Sequence, residues 1–347
     1  MPEKYTPENK QHNPNKMHPI LQEFFNSLKN GEQIEINEDE KEKYGISALG
    51  PFGENQLHFK IEKAREFTGV EKKAEDFVKD YTQKFLETLN KERKNKGQNP
   101  IQDRPKINIS DIKNSNEDCY ITATKDEVGY GRIPAFKGEG LNNIYKEYSS
   151  QYQGEEEILS IEEFKNIFMP HLPGTSALIV TSDNKILLTK RNPKKTAIYS
   201  EAWHLPAGGM DKDDTNEKEV LSPFVTIKRE IKEEVGLEKD QIDNLTCLGI
   251  CQNPYDGATE FLFVANTPIS SENIVSEGKL ILEPKDIDGN IRPKKLTRNE
   301  QLSSILPALS RIDKIYGKEK TKTPGPDLTV PTSQALFFLV DKILKKE

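Results

Sequence analysis

The nine residues from Arg229 to Leu237, REIKEEVGL, hold the densest chemistry in the chain. At about 100° per residue on a helix, Phe224, Ile227, Ile231 and Val235 form one apolar stripe, and Glu230, Glu233 and Glu234 gather on a separate face. Lys228 and Lys232 fall where they cannot easily reach those carboxylates. Glu-rich helices are usually solvated, and Arg229 and Glu233 have the spacing of an ordinary i,i+4 ion pair. Carboxylates crowded into one turn nevertheless repel, and in the last turn before Gly236 they also oppose the helix dipole. Two local rules broken in a single turn mark a functional site. The physical remedy is a hard divalent cation, since Mg²⁺ takes a few carboxylate oxygens and completes its shell with water and phosphate. The pair Gly208-Gly209 lets the backbone turn tightly and approach the cluster, so that the Gly209 carbonyl offers a further ligand.

The run REIKEEVGL resembles the second half of the Nudix box, Arg-Glu-aliphatic-x-Glu-Glu-x-Gly-aliphatic, at every specified position. Hairpin, strand, Gly-Gly, loop and helix follow in the family's order, and the resemblance covers roughly residues 170–345. It implies a hydrolase that cleaves the pyrophosphate of a nucleoside diphosphate linked to another moiety, using Mg²⁺ or Mn²⁺. Glu230, Glu233, Glu234 and Gly209 are then metal ligands, and one of the glutamates, or a mobile-loop Glu, deprotonates water. Arg229 organises the loop, and Glu233, Glu234 and Arg229 form the catalytic set. Lys190 and Arg191 are candidates for the substrate phosphates, and Tyr255 for stacking on a base. Glu260 and Glu277 are candidate extra carboxylates.

The first half of the box departs from the family pattern. Gly209 and Arg229 are 20 positions apart, several more than the family uses, and the family's loop Glu falls on Leu221. That Glu normally pairs with the Arg, so Glu217 or Glu219 is expected to replace it. The long loop and the N-terminal extension give a layout similar to the UDP-sugar pyrophosphatases. ADP-ribose or a dinucleotide remains an alternative substrate, and a non-catalytic nucleotide-sensing module an alternative role.

The elements that must position these residues form an α/β pattern. Strands are expected at 176–181 and 185–190 as a hairpin, then at 202–205, 245–251, 260–265 and 280–282. Helices are expected at 224–235, 299–315 and 332–345. The pattern predicts an α/β sandwich with a mixed sheet, which the resemblance makes a Nudix-type α/β/α sandwich over 171–347, preceded by a smaller α+β region expected at 18–170 and a disordered tail at 1–17. Within 18–170 the pattern predicts helices at 20–28, 71–94 and 159–168, the last opened by a Ser160/Glu163 capping box, a connector over 97–115 and a strand at 119–124. His171 and His204 carry no ligand spacing and are read as structural, and Trp203 as core.

Composition narrows the partners. The 347 residues contain 50 Lys and Arg against 57 Asp and Glu, a formal net charge of −7. That balance disfavours general nucleic-acid coating, which needs a basic footprint. No apolar stretch reaches the length of a membrane span, and the N-terminus lacks the apolar core of a secretory signal. The three cysteines form no disulfide framework, and Cys247 and Cys251 fit a strand better than a zinc half-site. The expectation is a cytoplasmic protein with a small nucleotide substrate, no nucleic acid and no membrane. A homodimer is an open assembly, and the N-terminal region fits a lid, a dimer surface or a partner-binding domain equally.

Overall fold

The computed structural model describes residues 19–101, 107–115, 117–124, 132–136, 139–155, 157–183, 186–190, 203–252, 257–270, 273–274, 279–282, 335–336, 338–340 and 342–343; of residues 19–21, 188–190, 203 and 279–282 it describes the backbone alone. The tail at 1–17 and the expected helix at 299–315 lie outside these residues.

The N-terminal half runs α1 (Pro19–Lys29), α2 (Glu38–Tyr44), β1 (Ile46–Phe52), β2 (Leu57–Glu62), α3 (Gly69–Asn95), β3 (Asn108–Ser115), β4 (Asp118–Thr124), α4 (Arg132–Phe136), α5 (Gly140–Gln151) and α6 (Ile161–Phe168). The capping box at Ser160 forms as its residues dictate: the hydroxyl accepts from the Glu163 amide, and Glu163 accepts from the Ser160 amide at 2.8 Å. Two expectations need correcting here. The connector at 97–115 contains β3, in which an irregularity between Ile109 and Asp111 breaks the period-two pattern and leaves buried Ile109 and half-buried Ile112 three positions apart among polar residues. The pattern also yields no α2, β1, β2, α4 or α5: Gly50 and Pro51 interrupt β1, charged residues fill the exposed side of β2, and Gly131, Pro134, Gly138 and Gly140 punctuate the stretch that holds α4 and opens α5.

The C-terminal half adds β5 (Pro173–Val180), β6 (Ile186–Lys190), β7 (Trp203–His204), β8 (Ala207–Gly209), α7 (Pro223–Val235), β9 (Asp243–Gln252), β10 (Thr259–Asn266) and β11 (Lys279–Leu282). The main sheet runs β1-β9-β10-β5-β6-β11, with β7 on β6 and β8 on β5. It is mixed: β10 and β5 are parallel, while β9–β10, β5–β6, β5–β8 and β1–β9 are antiparallel. A second sheet of order β2-β4-β3 comes from the N-terminal half.

Both faces of the main sheet are covered, so β5 is apolar on both sides and reads as a continuous buried run. Ala177 and Ile179 point into one core with Phe224, Ile227, Ile231 and Val235 of α7 and with Leu57, Ile109 and Ile121 of the small sheet. Leu178 and Val180 point into the other, packing with Phe24, Phe25 and Leu28 of α1 and with Ala335, Leu336, Leu339 and Val340 of a C-terminal helical segment. A third cluster joins α3, α5 and α6 around Phe77, Ile144, Tyr148 and Phe164. The boundary expected near residue 170 is drawn along the chain; in space β1 crosses it, since Ile46, Ala48, Leu49 and Phe52 pair with β9. Cys247 and Cys251 lie buried on β9, beside that pairing. Among the described residues no helix is long and apolar enough to cross a membrane.

Candidate functional site

The site is built where β8 passes beneath α7. Burial of the apolar stripe sets the helix's rotation and turns the opposite face toward β8. The helix stops at Gly236, whose φ of 70° is left-handed and whose amide reaches the Lys232 carbonyl at 3.0 Å. Strand β8 is fixed in register by β5, with Gly174 opposite Gly209, Thr175 opposite Gly208 and Ser176 opposite Ala207.

Gly208 leaves room for a carboxylate. A Cβ there would lie 2.0 Å from Glu230 Cδ, so the missing side chain is the slot that Glu230 fills. Gly174 plays the same part for Glu260: a Cβ would sit 2.6 Å from Glu260 Oε2 and 3.3 Å from the Gly208 carbonyl oxygen. Glu260 lies beside Gly174 in the β10–β5 register, so its carboxylate enters from across the sheet.

Arg229 ties the loop to the helix, and its acidic partner is Asp214. Nε donates to Oδ1 at 3.0 Å and Nη2 to Oδ2 at 2.9 Å, a bidentate pair. Nη2 also donates to the Gly209 carbonyl at 3.1 Å, and Nη1 to Glu230 Oε1 at 2.6 Å; Glu233 Oε1 lies 3.6 Å from Nη1. Asp214 further accepts from Thr226 Oγ1 and from the Asp211 amide, both at 2.9 Å. Burial alone would raise its pKa, yet the Arg229 pairing and these donors hold it below the usual carboxylate value.

The expected replacement by Glu217 or Glu219 is therefore corrected. Both are exposed in a tight turn in which Asn216 accepts from the Lys218 and Val220 amides, and Glu219 takes a φ of 59°. Thr215 bridges Leu221 across that turn, and Leu221 is buried in the core shared with α7. The extra residues thus form a small closed hairpin, and the acid that reaches Arg229 stands before it. The Asp-Lys-Asp-Asp run was the available signal, because an Asp accepting from an amide three residues back is a local turn motif.

The three helix carboxylates occupy different settings. Glu230, with its side chain 12% exposed, has its pKa pushed up to about 7, chiefly by burial against the opposing pull of Arg229, with Glu234 and Glu233 adding repulsion. Glu234 accepts from the Ala207 amide at 3.0 Å and stands 3.9 Å from His204 Nε2. Glu233 is 60% exposed and faces solvent. The lysines lie elsewhere as their positions on the wheel predict: Lys228 is 3.8 Å from Glu54, and Lys232 pairs with Glu238 at 2.9 Å. Among the described residues no three His, Cys, Asp or Glu side chains already stand as a finished metal cage. Mg²⁺ does not need one, because it binds one or two carboxylates and leaves its other positions to water and phosphate. Glu230, Glu233, Glu234, Glu260 and the carbonyls of Gly208 and Gly209 are the oxygen donors that these elements bring to β8, and their chemistry suits a hard cation.

Other candidates are less defined. Lys190 ends β6 with only its backbone described, Trp203 is described likewise on β7, and Arg191, Tyr255 and Glu277 lie outside the described residues. His171 is a tie between segments, its amide on Asn108 Oδ1 at 2.8 Å and its Nδ1 2.9 Å from the Gly257 carbonyl; burial lowers its pKa. Sequence reasoning missed Asp214, the Ala207 amide and the approach of His204 to Glu234, all of which depend on how β7 and β8 lie against α7.

Residues 170–299 match the NUDIX domain model. An RNA pyrophosphohydrolase of Rickettsia bellii is 33% identical over 78 residues, which are 22% of this chain and 42% of that protein. One from Pseudomonas putida is 31% identical over 75 residues, covering 22% and 39%. The chain thus spans about two-fifths of the length of the curated relatives it matches. Among solved structures, the Nudix domain of Shewanella oneidensis NrtR complexed with ADP-ribose aligns at 15% identity and a TM-score of 0.28, over 46% of this chain and 97% of that one.

Proposed function

We propose that this chain, whose residues 170–299 match the NUDIX domain model, is a divalent-metal-dependent hydrolase cleaving the pyrophosphate of a nucleoside diphosphate linked to another moiety. The observation that carries this reading is the slot at Gly208. It seats the Glu230 carboxylate against β8, while Arg229 is locked by Asp214 and Gly209. A solvated helix face would leave its carboxylates in water, whereas Glu230 is 12% exposed and seated beside Gly208.

Each residue has a part in this reading. Glu230, Glu233, Glu234 and the Gly209 carbonyl are the groups that would hold Mg²⁺ or Mn²⁺, with Glu260 as a further oxygen donor. The chemistry such an ion would supply is activation of water and neutralisation of phosphate charge. Glu234, which accepts from the Ala207 amide, and solvent-facing Glu233 are the carboxylates that would take a proton from the attacking water. Arg229 orders the loop. Lys190 and Arg191 contribute positive charge to the substrate phosphates, and Tyr255 a ring to the base.

A UDP-sugar is the first substrate to try. The test incubates the protein and Glu233→Gln with Mg²⁺ or Mn²⁺ and UDP-glucose, ADP-ribose, NADH, nucleoside triphosphates or a 5′-triphosphate RNA, and identifies products by chromatography. The expected result is a nucleoside monophosphate, or from the RNA a 5′-monophosphate end and pyrophosphate, from at least one compound, made by the wild type and lost in the variant. No product from any of them refutes the hydrolase reading and favours a nucleotide-sensing module.

A further inference from the structure

The first residue of the catalytic helix's cap is held from the other half of the chain. Ser222 occupies the N-cap of α7, yet its side chain makes no capping bond to the helix. Its hydroxyl donates instead to Glu54 Oε1 at 3.0 Å, across 168 residues of sequence. Glu54 opens the short turn between β1 and β2, and its other carboxylate oxygen is 3.8 Å from Lys228 Nζ, nearly two turns along the same helix. One side chain thus spans the start of α7, where a negative charge also complements the helix dipole.

The contact continues toward the site without a gap. The Ser222 amide donates to the Asp214 carbonyl at 2.9 Å, and the Asp214 carboxylate holds Arg229. Arg229 in turn donates to Glu230 and to the Gly209 carbonyl. From these bonds we infer that Glu54 is a positioning residue for the proposed hydrolysis: through Ser222 and Asp214 it fixes the axial placement of α7 over β8. The inference rests on the hydrolase reading for its catalytic consequence, but the brace itself does not. It gives the β1–β2 segment a function that the Nudix-matched residues do not supply for themselves. Carboxylates held to within a fraction of an ångström by supporting contacts lose rate steeply when those contacts go.

The test uses the full chain with Glu54→Ala, Glu54→Gln and Ser222→Ala. Glu54→Gln keeps an oxygen acceptor for Ser222, whereas Glu54→Ala removes it. Amide hydrogen exchange of residues 211–229 is read first, without substrate or metal. Faster exchange is expected in Glu54→Ala and Ser222→Ala, with near-normal protection in Glu54→Gln. Turnover on the substrate found above should fall about tenfold in kcat for Glu54→Ala with KM changed less than about twofold, be largely rescued in Glu54→Gln, and fall no further in Glu54→Ala/Ser222→Ala than in the worse single variant. Wild-type exchange in Glu54→Ala, an effect confined to KM, or additive losses in the double variant would overturn the inference. If the wild type hydrolyses nothing, the hydrolase reading fails by itself, and the exchange measurement still decides whether Glu54 braces α7.

Discussion

Replacing Asp214 by Asn should do far more damage than replacing either nearby glutamate. The Asp214 side chain is 7% exposed, and all its neighbours are donors: Arg229 Nε and Nη2, Thr226 Oγ1 and the Asp211 amide. An amide of the same shape must turn its NH₂ toward one of those donors whichever way it flips. Hydrogen bonds to charged groups contribute about 1.5–3 kcal/mol, and breaking a buried ion pair costs about 3–5 kcal/mol. Arg229 is 29% exposed and keeps Glu230 as a partner, which lowers the upper figure. The expected loss for Asp214→Asn is therefore about 2–4 kcal/mol in urea unfolding, while Glu217→Gln and Glu219→Gln stay within about 0.5 kcal/mol of wild type. Combined with Arg229→Gln, Asp214→Asn should show a coupling of about 1–3 kcal/mol, and the two glutamate variants none. Turnover should fall with Asp214→Asn because Gly209 and Glu230 lose their common anchor. Additivity of Asp214→Asn with Arg229→Gln, or coupling of Glu217 or Glu219 to Arg229, would refute the assignment.

Four further outcomes can be checked. Gly208→Ala should abolish turnover and lower stability by about 1–3 kcal/mol, because its Cβ would occupy the place of the Glu230 carboxylate; wild-type kinetics would remove the slot argument. Chelation by EDTA should stop hydrolysis and added Mg²⁺ restore it, with Glu233→Gln and Glu234→Gln inactive yet normally folded by circular dichroism. The Asp214 pKa is depressed on folding, so its stabilisation is complete above the unfolded value near 3.8 and is lost as pH falls through the lower folded value. Urea midpoints between pH 5.5 and 2.5 should therefore fall more steeply in wild type than in Asp214→Asn. Ser160→Ala should cost about 1 kcal/mol by removing the cap of α6, with turnover unchanged.

What the sequence determined by itself are features whose physics is local. The apolar stripe of α7, its Gly236 stop and the crowding of Glu230, Glu233 and Glu234 follow from 3.6-residue periodicity and from the need for a residue that tolerates positive φ. The strands β5, β9 and β10 were legible because burial on both faces makes them continuously apolar. Elements whose burial is one-sided or broken, such as β1 and β3, were not, since their polar residues look like loop until a partner strand is supplied. The partner of Arg229 was decided only in three dimensions. A spacing rule chooses among glutamates near Leu221, but Leu221 is drawn into the core, the inserted residues close into a hairpin, and the guanidinium meets the acid that the folded backbone brings within 3 Å. The same reason hid Glu54: a contact between residues 168 positions apart has no signature in either segment, and exists only because β1 adds to the sheet that carries the site.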